Sequence, residues 1–195
     1  WNIHPGDLPS YRGRHPIIWS LVLGLRETSS TFFLMDESTD SGKIVSQKKI
    51  KINFDDNASS LYEKICISAE KQLKDIFSLN LYLPKYLTKQ DPNKSNYWRK
   101  REKKDGIIDW RMDAERIYNL VRGLSEPYIG ASFVYQNIEY KVWSAKIIKN
   151  DKLNIEPGKI LDINKKGNMI IKCGSDAIEI NHPVKDGKFK EGDYL

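Results

Sequence analysis

The sequence predicts a mixed α/β chain: an α/β portion over residues 1–88, a basic linker over 89–104, and a small β-barrel over 105–195. Three observations carry this reading. Strand-like and helix-like segments alternate up to about Phe54. A run of period 3.6 then covers about Ser59 to Phe77, the signature of a helix with one apolar face. Beyond Pro127, short apolar stretches are separated by turn residues, the pattern of a small all-β domain.

Residues 1–4 read as the end of a buried strand, followed by a Pro/Gly-rich loop to about His15. Pro16 suits the first turn of a helix, and Ile17 to Leu23 fill that helix until Gly24, which can take the left-handed cap. Thr31 to Met35 reads as the next strand. Strand, crossover helix and strand imply a right-handed βαβ unit with parallel strands. Their C-terminal ends then share one sheet edge, where Asn2, His4 and Asp40 fall together. Lys43 to Phe54 partly alternates and reads as a returning strand. Asp55-Asp56-Asn57 supplies a helix start, and Ser60 with Glu63 fits a capping box. The helix that follows has Leu61, Ile65, Ala69, Leu73, Ile76 and Phe77 as its packing face.

Lys89 to Asn96 is polar and rich in turn residues, and leads into the aromatic and basic run from Tyr97 to Lys104. A short helix from about Asp113 presents Ile117, Leu120, Val121 and Leu124. The later strands are Ala131 to Tyr135, Glu139 to Ile148, Lys159 to Ile163, Met169 to Cys173 and Ala177 to Ile180.

The chemistry concentrates near the start. Asn2 and His4 are two residues apart, which on a strand points both side chains to one face. An amide donor then lies beside an imidazole that titrates near neutral pH. Asp40, in a Gly-containing loop, could hold that imidazole in one tautomer. A base, its orienter and a donor for an oxyanion are the parts of an acyl-transfer site. On spacing alone, a strand-end Asn, a loop His and a capping Asp is the more ordinary reading. Tyr11, Arg12 and Arg14 lie where they could meet phosphate or sugar hydroxyls, or form a solvated basic loop. Arg99 and Arg101 follow directly on Tyr97-Trp98, a pattern suited to a base and a diphosphate or to plain solvent. His15, before a proline, reads as structural, and His182 has no partner in the sequence.

Asn2-Ile3-His4, then Leu8-Pro9-Ser10-Tyr11-Arg12-Gly13, then Met35-Asp36-Glu37-Ser38-Thr39-Asp40-Ser41-Gly42 together resemble the folate-dependent formyltransferases. That family reads Asn-x-His, Leu-Pro-x-x-x-Gly and Met-Asp-x-x-x-Asp-x-Gly in this order. The resemblance continues through Ile108-Asp109-Trp110, Val121-Arg122 and Lys141-Val142-Trp143-Ser144-Ala145. It implies the back part of a Rossmann-like catalytic domain followed by a small open OB-like barrel. It also implies formyl transfer from 10-formyltetrahydrofolate to an amine, with no metal. Asn2, His4 and Asp40 become the catalytic set, Asp36 and Glu37 donor-binding residues, and Tyr11, Arg12, Arg14, Arg99 and Arg101 acceptor-binding residues.

Tyr-Arg-Gly-Arg at 11–14, Trp19, Gly-x-Ile-Val at 42–45 and Val-Trp-Ser at 142–144 resemble the branch acting on nucleotide-linked amino sugars, such as UDP-4-amino-4-deoxy-L-arabinose. That branch implies a role in surface-polysaccharide synthesis. Initiator-tRNA formylation is the alternative within the family. A nucleic-acid-binding module with an inactive catalytic part is the alternative outside it. Pro5-Gly6-Asp7 departs from the relatives, which have Gly-Ser-Leu after the histidine. The chain opens directly on the catalytic-looking strand, so the resemblance implies a missing N-terminal half that helps form the folate pocket. Alone, the chain is expected to bind folate weakly and to turn over little. Its expected partner is that half or another copy of itself.

Composition sets outer bounds. A length of 195 residues, 39% hydrophobic and 30% charged, suits one ordinary domain or two small ones with a core. No apolar run approaches the ~20 residues of a membrane-spanning helix. Cys66 and Cys173 lack metal-ligand spacing and read as reduced thiols of a cytoplasmic protein. A net charge of +6 favours an anionic partner: nucleic acid, a sugar nucleotide or the glutamate tail of a folate.

Overall fold

The protein is described by a computed structural model over residues 1–181 and 188–195; His182 lies outside the described residues. Two compact units form, one of residues 1–21 and 25–101, the other of 22–24 and 102–195. Among the described residues, no helix is long and apolar enough to cross a membrane.

The first unit contains β1 (Asn2–His4), β2 (Arg12–Gly13), α1 (Pro16–Val22), β3 (Glu27–Phe33), β4 (Ile44–Lys51), α2 (Ala58–Ser78) and β5 (Tyr97–Trp98). Proline opens α1 and Gly24, at φ +70°, closes it, with the Leu25 N–H donating to the Ser20 carbonyl. The main sheet has the order β1-β3-β4. Its strands are antiparallel throughout, with Asn2 opposite Phe33 and His4 opposite Thr31. This overturns the parallel βαβ expectation. A crossover must carry the chain back along the sheet before the next strand begins. Here the loop after β1 keeps going the same way, because Thr31 Oγ1 donates to the Gly6 carbonyl and Ser29 Oγ to Asp7 further on. The seven-residue α1 is too short to undo that travel at 1.5 Å per residue, so β3 runs back alongside β1.

The two faces of this sheet differ. One holds the loop after β1: Gln47 Nε2 donates to the Leu8 carbonyl, and Lys49 pairs with Asp7 at 2.6 Å. Against the other packs α2, where Phe32, Val45 and Ile76 form a core cluster. Buried Gln72 of α2 donates to the Ser30 carbonyl and to Ser46 Oγ there. The cap of α2 is Asn57, whose Oδ1 accepts from the Ser60 N–H while Ser60 Oγ accepts from the Asn57 N–H. The expected Ser60–Glu63 box is therefore one turn too late. The buried stripe is Leu61, Ile65, Gln72 and Ile76. Leu73 and Phe77, expected to pack, are exposed because each lies further round the helix from that stripe.

Residues 89–101 of the stretch expected as a linker belong to this unit. Gln90 is buried, and β5 pairs in parallel with β2, Arg12 opposite Tyr97 and Gly13 opposite Trp98. Polar composition hid this, since a buried amide with all its partners in place costs little.

The second unit has α3 (Ala114–Gly123), β6 (Ala131–Tyr135), β7 (Ile138–Val142), β8 (Ala145–Ile148), β9 (Ile160–Ile163), β10 (Met169–Lys172) and β11 (Ala177–Ile180). β6 and β7 form a hairpin whose turn residues Gln136 and Asn137 both have positive φ, as a tight primed turn requires. The single strand expected over Glu139 to Ile148 breaks at Trp143-Ser144. β7 stays in the hairpin, while β8 joins an antiparallel sheet of order β8-β11-β10-β9. Among the described residues these sheets do not close into a barrel. Phe133, Ile160, Met169, Ile171, Ile178 and Ile180 are fully or almost fully buried, as are Ile117 and Val121 of α3. Cys173 is also buried, which pushes its thiol up to about 12.

Candidate active site

His4 ends β1, next to a glycine. A side chain at Gly6 would place its Cβ 2.5 Å from His4 Nε2, so the imidazole lies flat against bare backbone. That accounts for glycine at this position. Asp7 ties the loop to the sheet through Ser29 and Lys49.

The ring is 4% exposed. Its Nε2 is 2.8 Å from the Tyr11 carbonyl and its Nδ1 is 3.4 Å from Asp40 Oδ2. A carbonyl only accepts, so Nε2 carries the proton and donates to Tyr11. The Tyr11 carbonyl thus sets the tautomer, a role expected of Asp40. In the neutral ring Nδ1 is then bare and faces a carboxylate. Proton uptake at Nδ1 gives an imidazolium with both N–H groups facing oxygen. Burial pushes the His4 pKa below its ordinary value, while the Asp40 charge and the Tyr11 carbonyl pull it upward. The net result is a ring held neutral near pH 7 beside the charge that would stabilise its protonated form.

Asp40 sits at φ +53° in the loop after β3, and the same carboxylate oxygen accepts from the Gly13 N–H at 2.9 Å. Tyr11 has φ +63° and His15 φ +57°. Left-handed backbone at non-glycine residues costs energy and tends to gather at functional sites. Asn2 projects from the same strand into solvent. Its Oδ1 accepts from the Ile3 N–H, which turns the amide N–H groups outward as donors.

The remaining predicted residues divide. Arg12 is buried, and its guanidinium donates twice to Gln90 Oε1 and once to Tyr97 Oη, lying 5.7 Å from the Tyr97 ring. It braces the loop and does not face solvent. Arg14 is exposed. Tyr11 stacks on Trp98 at 4.3 Å between ring centroids. Arg99 and Arg101 lie over Trp19 at 5.4 and 4.9 Å, and the Trp19 indole N–H donates to the Arg99 carbonyl. Arg101 is buried and its N–H meets His15 Nδ1. Asp36 Oδ1 accepts from the Ser38 N–H and Ser41 Oγ, closing a turn, while Glu37 is exposed. Sequence reasoning missed Gln90 and Asn96, whose Oδ1 accepts from the Tyr11 N–H at 2.6 Å. A glutamine ahead of a proline-containing turn carries no local signal. The spacing of Tyr97-Trp98 could have marked a short strand.

Sequence models of the formyl transferase family match residues 1–76, and of the formyl transferase C-terminal domain residues 100–191. The chain belongs to the formyltransferase family, whose members are enzymes using folate-derived formyl donors. It is 36% identical over 186 residues to the bifunctional polymyxin resistance protein ArnA of Wigglesworthia glossinidia brevipalpis, covering 92% of this chain and 27% of that protein. It is 34% identical over 203 residues to the methionyl-tRNA formyltransferase of Caldanaerobacter subterraneus subsp. tengcongensis, covering 100% of this chain and 62% of that protein. The chain therefore spans only part of both relatives. Its fold is similar to the N-formyltransferase from Helicobacter canadensis in complex with folinic acid and dTDP-3-aminofucose. The TM-score is 0.71 at 18% identity, over 93% of this chain and 65% of that one.

Proposed function

We propose that this chain carries the catalytic residues for transferring a formyl group from 10-formyltetrahydrofolate to the amine of a nucleotide-linked amino sugar, in the cytoplasm and for surface-polysaccharide synthesis. The observation that carries the reading is the meeting of buried His4 with Asp40, with exposed Asn2 two residues before His4 on the same strand. His4 takes the proton released as the amine attacks the formyl carbon. Asp40 stabilises the resulting imidazolium, and Asn2 donates to the formyl oxygen as it gains negative charge. Asp36 and Glu37 serve the folate donor. Tyr11, Arg14, Arg99 and the exposed Tyr97 serve the nucleotide, with Arg12 and Arg101 holding the loops that present them. The second unit is read as the OB-like domain of the family.

The relatives support an amine acceptor of either kind, a nucleotide sugar or initiator tRNA. The sugar reading is favoured by the compact aromatic and basic surface around Tyr11, Tyr97 and Trp98, which suits one nucleotide. Exposed Trp1 stacks on exposed Phe77 and lies near Tyr82, beside Ile3 on the open edge of β1. The reading includes completion of the site by the front half of a formyltransferase domain. The test is a formylation assay on the protein, alone and with that half supplied in trans. Nucleotide amino sugars and initiator methionyl-tRNA are compared as acceptors. Formylation of a nucleotide amino sugar with no transfer to tRNA supports the reading, and transfer to tRNA alone overturns it.

A further inference from the structure

Gln90 lies fifty residues from Asp40 in sequence, in a stretch that composition marks as linker. Its side chain is buried and every polar atom of it is engaged. Nε2 donates to the Asp40 carbonyl at 2.8 Å and to the Gly42 carbonyl at 2.7 Å. Oε1 accepts both Arg12 Nε and Arg12 Nη2, at 3.2 and 2.7 Å. One amide therefore joins the Asp40 loop to the Arg12 strand.

Those are the two backbones that determine where His4 sits. The Asp40 loop brings its carboxylate to His4 and to the Gly13 N–H. The strand of Arg12 follows directly on Tyr11, whose carbonyl holds His4 Nε2. Asp40 is in the left-handed region, which costs a non-glycine residue energy even though aspartate tolerates it better than most. The two carbonyls held by Gln90 Nε2 flank Ser41, so the donor amide fixes the exit of that strained residue. The Leu34 N–H bonds the Lys43 carbonyl at the loop's base, Asp36 closes the turn at its tip, and Gln90 holds the Asp40 and Gly42 carbonyls between them.

We infer that Gln90 is a positioning residue, holding the Asp40 loop so that the carboxylate faces His4 while the Arg12 strand keeps the Tyr11 carbonyl on the other side of the ring. The inference rests on the proposed formyl transfer for its kinetic consequence, but its structural consequence stands apart from it.

Two variants separate the functions of the amide. Gln90→Glu keeps an acceptor for Arg12 and loses both donations to the loop, while Gln90→Leu loses both sides. If Gln90 acts by holding the Asp40 loop, both variants lose kcat about 10- to 100-fold, as a displacement of about 1 Å at a catalytic group does, with KM changed less than threefold. In the same proteins, hydrogen exchange at the Gly13 amide quickens at least tenfold, while the Thr28 and Ile50 amides of the β3–β4 ladder stay protected. Long-range imidazole nitrogen spectra also show His4 losing the influence of Asp40. Kinetics and Gly13 protection of Gln90→Glu equal to those of the unaltered protein would overturn the inference, since anchoring Arg12 would then suffice. If the unaltered protein formylates no acceptor even with the front half supplied in trans, the proposed function fails, and the Gly13 and His4 readouts still decide the part played by Gln90.

Discussion

Gly13 is the point at which the loop after His4 touches the Tyr97-Trp98 strand, and its replacement by alanine has a calculable cost. Gly13 has φ +101°, and an added Cβ would lie 2.4 Å from the Trp98 carbonyl oxygen. An L-residue forced to positive φ costs ~1–2 kcal/mol. The oxygen it strikes accepts from the Arg14 N–H at 3.0 Å, and the neighbouring Arg12 N–H donates to the Asn96 carbonyl at 3.0 Å. Moving β2 off β5 weakens both bonds, at about 1 kcal/mol each. The total is about 3–4 kcal/mol by these figures. Gly167, at φ +83° with nothing within 4 Å of its added Cβ, is the control for backbone strain alone and should lose only ~1–2 kcal/mol as alanine. Urea unfolding followed by hydrogen exchange of the β3–β4 ladder for Gly13→Ala, and of the β10–β11 ladder for Gly167→Ala, measures each in its own unit. Equal losses in the two variants would refute the close approach of β5.

Two further outcomes follow from the charges and caps. His4 and His15 both have pKa values below 6.5 in the fold, mainly from burial, with Arg101, Lys100 and Arg14 adding to the effect at His15. The unfolded chain then binds more protons than the fold, so stability is complete above pH 6.5 and falls as pH drops from there through the folded values. Urea midpoints at pH 7.5 and 5.5 should show this loss, and His4→Gln combined with His15→Gln should flatten it. Asp109 and Glu139, held at about 2 by Arg111 and by Lys103 with Lys141, do not interfere, because their contribution is lost only below their unfolded pKa values, near pH 4. For α2, Asn57→Ala should cost about 1 kcal/mol while Glu63→Ala should be nearly silent in thermal melts. The opposite ranking would restore the cap one turn later.

What the sequence made legible followed from local chemistry. Pro16 and Gly24 bracket α1, Asp113 starts α3, and the strands from Ala131 onward lie between their turn residues, apart from the break at Trp143-Ser144. The meeting of His4 with Asp40 was expected from motifs that agreed, although the topology used to bring them together was wrong. His4 and Asp40 meet across an antiparallel pair and a loop that folds back, where hydrogen bonds from Gly13 and Gln90 hold Asp40. Those are contacts between residues 27 and 50 positions apart, and no local pattern encodes them. Arg12 misled for the same reason. A basic residue in a loop reads as solvent-facing until the buried amide that accepts it is known. Leu73 and Phe77 are apolar without being buried, which periodicity counts as core and only the packing of α2 can separate.

Alanine replacement at Asn2, His4 and Asp40 tests the central claim most directly, with steady-state formyl transfer from 10-formyltetrahydrofolate and acceptor binding measured side by side in the active protein. The His4 variant should lose about 10²–10⁴ in kcat and the Asn2 variant about 10²–10³. Asp40→Ala should also fall well below the parent, with acceptor affinity little changed in all three. Turnover by the His4 variant close to that of the parent would contradict the claim.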